Sequence, residues 1–125
     1  MEFLDLLAPY RRVFLIRAST AATAPTFTAV SLASQGGRMD LVVRAVISAI
    51  ATPEGPRRDT AIVSVLEGPP KPPLALVALG SEIRELPLSE GELGRVIIEL
   101  LSGKSVRGFA TLRAVSYTHL TLPTN

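Results

Sequence analysis

The sequence has no cysteine. That excludes a disulfide framework, a thiolate metal site and a cysteine nucleophile. Its one histidine, His119, falls in the last ten residues, so the rest of the chain has none for catalysis or metal ligation. Aromatic residues make up only 5% of the sequence, against 47% hydrophobic residues overall, so Ala, Val, Leu and Ile must do most of the packing. That bias suits buried strands covered by helices. No apolar run approaches the roughly 18 residues that span a bilayer. The start, MEFLDLLAPYRR, carries Glu2 and Asp5 where a secretory signal would be basic. Together these features fit a reducing cytoplasm. Thirteen basic and eleven acidic residues give a net charge of +2, too mild to argue for nucleic-acid binding by itself.

The 125 residues suffice for one domain, expected over 12–115. Residues 1–11 read as an amino-terminal extension, with Met1–Tyr10 a small helix, an extension or the product of a misplaced start codon. Residues 116–125, SYTHLTLPTN, have no sustained period and resemble a translated adapter sequence, so they read as a non-native tail and are kept out of fold reasoning. Arg12–Ala18 contains the continuous apolar run Val13-Phe14-Leu15-Ile16, which predicts a buried strand. Ser19–Gly37 is long and rich in Thr, Ser, Ala and Gly. A connection of that length is usually functional or disordered.

Arg38–Ile50 is the clearest helix, with Met39, Val42, Val43, Val46, Ile47 and Ile50 on one face. Pro53 ends it, and Thr52–Arg58 is a turn segment. Thr60–Leu66 predicts a second strand. Glu67-Gly68-Pro69-Pro70-Lys71-Pro72-Pro73 predicts a rigid loop, and Leu74–Leu79 a third strand. Ser89–Ser102 predicts a helix with Ser89 as N-cap, Glu92 completing a capping box and Gly103 at its end. A fourth strand is expected within Val106–Val115. Helical connections between apolar strands point to an α/β fold with a mostly parallel open sheet and flanking helices.

The chain has no dinucleotide, Walker, zinc-protease or nucleophile-elbow motif. Three features remain. Asp40 and Arg44 lie one helical turn apart beside Arg38 and the Gly36-Gly37 pair. Spacing alone makes Asp40–Arg44 a solvated ion pair worth ~0.3–0.5 kcal/mol, although two guanidinium groups at a helix start also suit a phosphate. Lys71 sits at the tip of the proline loop, either as a solvated lysine on a connector or as a cation presented to a nucleic-acid backbone. Arg11, Arg12, Arg57 and Arg58 form a basic set that would follow phosphates if they converge on one face.

Taken in order, GRMDLVVRAVISAI, RRDTAIVSVLEGPPKPP, the LG of Leu79-Gly80 and SEGELGRVIIELL resemble the tRNA pseudouridine N1-methyltransferases of the TrmY type. These belong to the knotted α/β (SPOUT) superfamily. The resemblance runs from about Arg12 to Leu101. A more distant likeness is to the methyltransferases that act on pseudouridine in small-subunit rRNA, which share an Arg-x-Asp at the corresponding helix start. The resemblance implies a homodimeric enzyme that uses S-adenosylmethionine to methylate N1 of pseudouridine in the T-loop of tRNA. It also implies that the carboxyl-terminal knot, with the donor loops, lies beyond Val115. On this reading the chain is an incomplete amino-terminal part of the fold, inactive alone. Arg38 and Asp40 are its substrate-side catalytic candidates, and Arg44, Lys71, Arg57 and Arg58 its RNA-binding candidates. No residue is assigned to the donor or to a metal, and no membrane association is expected. A stand-alone RNA-binding or dimerisation module is the alternative. Two departures stand out: Leu74–Leu79 lacks the basic residue family members often carry there, and Met1–Tyr10 has no counterpart.

Overall fold

The computed structural model describes residues 7–28, 30–83 and 89–112. In chain order the elements are β1 (Arg12–Ala18), α1 (Met39–Ile50), β2 (Ala51–Thr52), β3 (Gly55–Pro56), β4 (Thr60–Leu66), β5 (Leu74–Leu79), α2 (Glu90–Leu101) and β6 (Phe109–Leu112). The four long strands form one sheet in the order β1-β4-β5-β6, and β2 and β3 form a small separate hairpin. The tail at 116–125, most of the amino-terminal extension and residues 113–115 of the expected last strand lie outside the described residues.

β1 and β4 pair in parallel through α1, as the apolar runs separated by a helix imply. β4 pairs antiparallel with β5, and β5 antiparallel with β6. The expected mostly parallel sheet is therefore a mixed one. The cause is local: the proline loop between β4 and β5 is too short for a crossover, so the chain must turn back on itself. β5 is thereby the reversed strand, and β1, β4 and β6 share one direction.

Both faces of the central strands are buried, which is why β4 and β5 read as unbroken apolar runs. Ile62, Leu66, Leu74, Leu76 and Ala78 face α1 and α2, which lie together on one side rather than one on each face. Ala61, Val63, Val65, Ala75, Val77 and Leu79 form a second cluster on the other side, against which Leu7 and Tyr10 pack. The Tyr10 hydroxyl also meets Ser81 Oγ at 2.6 Å, tying this short approach segment to the far end of β5.

The expectation that β1 is a buried strand does not hold. β1 is the edge of the sheet, and Val13, Phe14 and Leu15 are 43%, 46% and 41% exposed. Composition reports which residues tolerate burial, and nothing in a local apolar run states how many neighbours a strand will have.

Residues 19–37 are not a loose loop. Ala21, Ala22, Thr23, Phe27 and Leu32 are buried, and the Leu32 side chain packs closely over Gly94 of α2. The segment thus acts as a plug against the two helices, and its backbone accepts the first helical N–H, from Met39 to Leu32 O at 2.9 Å.

The helices begin differently. Ser89 caps α2 by accepting from the Glu92 N–H at 3.1 Å, and its hydroxyl meets Glu92 Oε1 at 2.8 Å. α2 ends with Gly103 at φ 95°, where Lys104 N donates to Glu99 O and Gly103 N to Leu100 O, a Schellman closure. At α1 the N-cap is Arg38, in the left-handed region at φ 69° and with no side-chain cap. A residue with a Cβ loses about 1 kcal/mol or more in that conformation relative to glycine.

Three stability outcomes follow from these contacts. Arg38→Gly and Arg38→Ala both remove the guanidinium, but only glycine relieves the left-handed backbone. Arg38→Gly is expected to be more stable than Arg38→Ala by about 1 kcal/mol in denaturant unfolding, and equal stabilities would show that the backbone there is not strained. Gly68→Ala would drive a methyl group into the Thr20 and Ala21 carbonyls. It is expected to destabilise by about 1–3 kcal/mol, whereas Gly91→Ala in α2, which meets nothing within 4 Å, should stabilise by about 0.5–1 kcal/mol.

Candidate functional site

β1 and β4, running in parallel, deliver the chain to the same edge of the sheet. In open α/β sheets the crevice outside the carboxyl ends of the strands is where ligands bind. Three segments meet there: residues 18–23 leaving β1, residues 36–40 entering α1, and residues 67–71 leaving β4. Ala22 N donates to Gly36 O at 3.0 Å, and Thr20 Oγ1 donates to Gly37 O at 2.7 Å. Gly68 N donates to Ala21 O at 2.8 Å and Thr23 N to Pro69 O at 3.1 Å. The Thr20 carbonyl lies so close to both Gly37 and Gly68 that neither position has space for a Cβ. Gly37 at the helix start thus admits this backbone, while Gly36 beside it is closed in by the Leu32 carbonyl and Met39.

A charged group sits on that frame. Asp40 is only 6% exposed, in the first turn of α1. Its Oδ2 accepts from Arg38 Nη2 at 3.1 Å and lies 3.6 Å from Arg44 Nη1. Arg44 Nε in turn donates to Glu90 Oε2 at 3.2 Å, at the start of α2. Both arginines are more than half exposed, so one buried carboxylate oxygen anchors two guanidinium groups that reach solvent. The other oxygen, Asp40 Oδ1, is buried and has no hydrogen-bond partner among the described residues. A buried acceptor left in that state costs about 1–3 kcal/mol, so it calls for an explanation.

The expected Asp40–Arg44 pair is thus present, but as part of a network joined by Arg38 and Glu90. Glu90 reads from sequence only as a complement to its own helix dipole; that it reaches Arg44 depends on how α1 and α2 pack. Lys71 is exposed on the proline loop at this same end of the sheet. Its backbone N–H donates to Thr23 Oγ1 at 2.8 Å. At the base of the loop Arg17 pairs with Glu67. Thr20, Thr23 and Glu67 were not singled out by motif, although a loop so poor in N–H groups signals that its few donors need acceptors elsewhere.

Arg57 and Arg58 lie at the opposite end, where β4 begins. Arg58 Nη1 donates to the carbonyls of Gly80 and Ile83, so its guanidinium closes the chain after β5. Arg11 and Arg12 gather at that end too, both donating backbone N–H groups to Asp59 O. The structure therefore brings Arg38, Asp40, Arg44 and the Lys71 loop to one end and leaves Arg57 and Arg58 at the other.

Among the described residues, no group of three or more His, Asp or Glu side chains converges. The backbone N–H groups of Gly36, Gly37 and Gly68 are engaged within the protein, donating to Ser31 O, Ser34 O and Ala21 O, and the Thr20 carbonyl crowds both Gly37 and Gly68. No helix among the described residues is long and apolar enough to cross a membrane.

A family model described as "Putative SAM-dependent RNA methyltransferase" matches residues 11–115. The tRNA (pseudouridine(54)-N(1))-methyltransferase of Methanococcus maripaludis is 36% identical over 88 residues, 70% of this chain and 44% of that protein. The enzyme of the same name from Pyrococcus abyssi is 35% identical over 103 residues, 80% of this chain and 50% of that protein. The chain spans about half the length of the curated relatives it matches. A match across residues 11–115 takes in every long strand and both helices, and the chain belongs to this family of S-adenosylmethionine-dependent RNA methyltransferases.

Proposed function

We propose that residues 12–115 are the substrate-side part of a cytoplasmic enzyme that methylates N1 of pseudouridine in the T-loop of tRNA. The names of the relatives support the reaction and the substrate. The observation that carries the role of this chain is the divided carboxylate of Asp40. Oδ2 orients Arg38 and Arg44, and Oδ1 has no hydrogen-bond partner among the described residues.

Pseudouridine differs from uridine in joining its sugar through carbon, so its N1 carries a hydrogen that uridine lacks. Methylation at N1 requires that hydrogen to leave. A buried carboxylate that orients two solvent-reaching guanidinium groups suits such a substrate: Asp40 fixes Arg38 and Arg44, and these hold the phosphates beside the ring. Lys71, at the same end, adds a phosphate contact, and Arg57 and Arg58 would touch RNA only at a separate place. The donor is then held by residues other than those described, since the glycine N–H groups here are already engaged within the protein.

The exposed apolar edge of β1 supports the remainder of this reading. A strand that pairs in parallel and is apolar on both faces is normally covered, and the relatives are about twice as long as the chain. We place the knotted half of a SPOUT domain against that edge and infer a homodimer for the complete enzyme. The family match favours this over a stand-alone RNA-binding or dimerisation module.

In an enzyme carrying both halves, Asp40→Ala and Asp40→Asn are expected to lower methyl transfer to a pseudouridine-containing T-arm RNA by about a hundredfold or more, with donor affinity unchanged in calorimetry. An unchanged rate removes Asp40 from the site.

A further inference from the structure

The proline loop cannot hold its own shape by hydrogen bonds. Pro69, Pro70, Pro72 and Pro73 have no N–H, which leaves Glu67, Gly68 and Lys71 as the backbone donors between β4 and β5. All three donate to the segment leaving β1: Glu67 N to Ala18 O at 3.0 Å, Gly68 N to Ala21 O at 2.8 Å and Lys71 N to Thr23 Oγ1 at 2.8 Å. In return two loop carbonyls accept from Thr23, Gly68 O from its hydroxyl at 3.1 Å and Pro69 O from its N–H at 3.1 Å. The bond nearest the tip is the one that ends on a side chain. The same segment holds the entry to α1 through Ala22 and Thr20.

We propose that Thr23 is a positioning residue, which sets Lys71 at a fixed place relative to Arg38 and Asp40 so that the loop and the helix start grip one RNA together. Its hydroxyl must donate and accept at once, and Thr23 is only 3% exposed, so water does not compete for either bond. Serine can do the same; valine, of nearly the same shape, can do neither. The main-chain bonds of the segment would survive any side chain, whereas the bond to the Lys71 N–H depends on the Thr23 hydroxyl. The inference rests on the reading that the Lys71 loop meets RNA.

The test uses the full chain and a T-arm hairpin RNA containing pseudouridine, with binding followed by fluorescence anisotropy over a range of salt. Lys71→Ala should weaken binding about tenfold and flatten the salt dependence by roughly one phosphate contact. Thr23→Val should weaken it to a similar degree, and Thr23→Ser should restore it to within about twofold of the wild type. In the Thr23→Val background, Lys71→Ala should add less than about twofold, because the lysine is already misplaced. Full multiplication of the two losses overturns the proposal while leaving Lys71 an RNA contact. No loss in Lys71→Ala overturns the RNA-facing reading of the loop, and the proposal with it.

Should Thr23→Val fail to fold, hydrogen exchange decides the matter. The Lys71 amide is expected to be protected in the wild type and in Thr23→Ser, and to exchange about tenfold faster in Thr23→Ala. An amide that exchanges freely in the wild type overturns the proposal.

Discussion

The contact on which the carboxyl end of the sheet depends is the lacing of residues 18–23 to the loop after β4. Proline removes donors but not acceptors, so a loop with four of them is stiff in backbone angle and unattached in space. The segment leaving β1 supplies the attachment. It reaches the loop on one side and the helix entry on the other, and the Thr20 carbonyl fits between Gly37 and Gly68. The parallel pairing of β1 with β4 makes this possible, since it brings residues 18 and 66 side by side. Ala18 O can then receive the Glu67 N–H directly, and the lacing continues outward from that register. The geometry of the charged groups inherits its accuracy from the strand pairing beneath them.

The ion-pair network has a related logic. Surface ion pairs stabilise by at most about 1 kcal/mol, so Arg44–Glu90, with both side chains roughly half exposed, adds little to the fold. Its effect is geometric, because it joins α1 to α2 at the height of Asp40. Arg44 is thereby held between two carboxylates, and Arg38 approaches the same Asp40 oxygen from the N-cap position. Two positive groups near each other would repel without the buried carboxylate between them. Asp40 therefore explains why Arg38 and Arg44 can lie together at a helix start, where the helix dipole by itself disfavours cations.

Much of this was legible in the sequence, and the boundary of legibility has a physical shape. Helix and strand positions came from local periodicity, and Ser89, Glu92 and Gly103 announced α2 because capping is a property of a few consecutive residues. Helical spacing put Asp40 and Arg44 one turn apart, with Arg38 beside them at the helix start, and the site role of Arg38 and Asp40 came from the family resemblance. The direction of β5 was open to the same reasoning, since the short loop before it permits nothing but a hairpin, yet the apolar runs alone suggested a mostly parallel sheet. What could not be read was anything that depends on sequence-distant neighbours. The exposure of β1 depends on sheet order, Glu90 on helix packing, and Thr23 on a partner in the loop after β4. The separation of Arg57 and Arg58 from Arg38, Arg44 and Lys71 required knowing which end of β4 each occupies.

The two helices show where the molecule departs from the rules that otherwise govern it. They have the same length and share one face of the sheet. α2 is closed at both ends by ordinary devices, with its hydroxyl cap, first-turn carboxylates and left-handed glycine in place. α1 begins with an arginine in the left-handed conformation, no side-chain cap and a buried carboxylate oxygen without a hydrogen-bond partner among the described residues. Any of these could be repaired by a common substitution at little expense to packing, and all three fall within the first turn of one helix. Buried Ser64 in β4 also has a hydroxyl with no hydrogen-bond partner among the described residues, but only at the start of α1 do such departures fall together. Stability is supplied by the central strands and by the buried faces of both helices, Met39, Val42, Val43, Val46 and Ile50 of α1 among them, so the departures at the start of α1 are carried by a helix that is otherwise firmly packed.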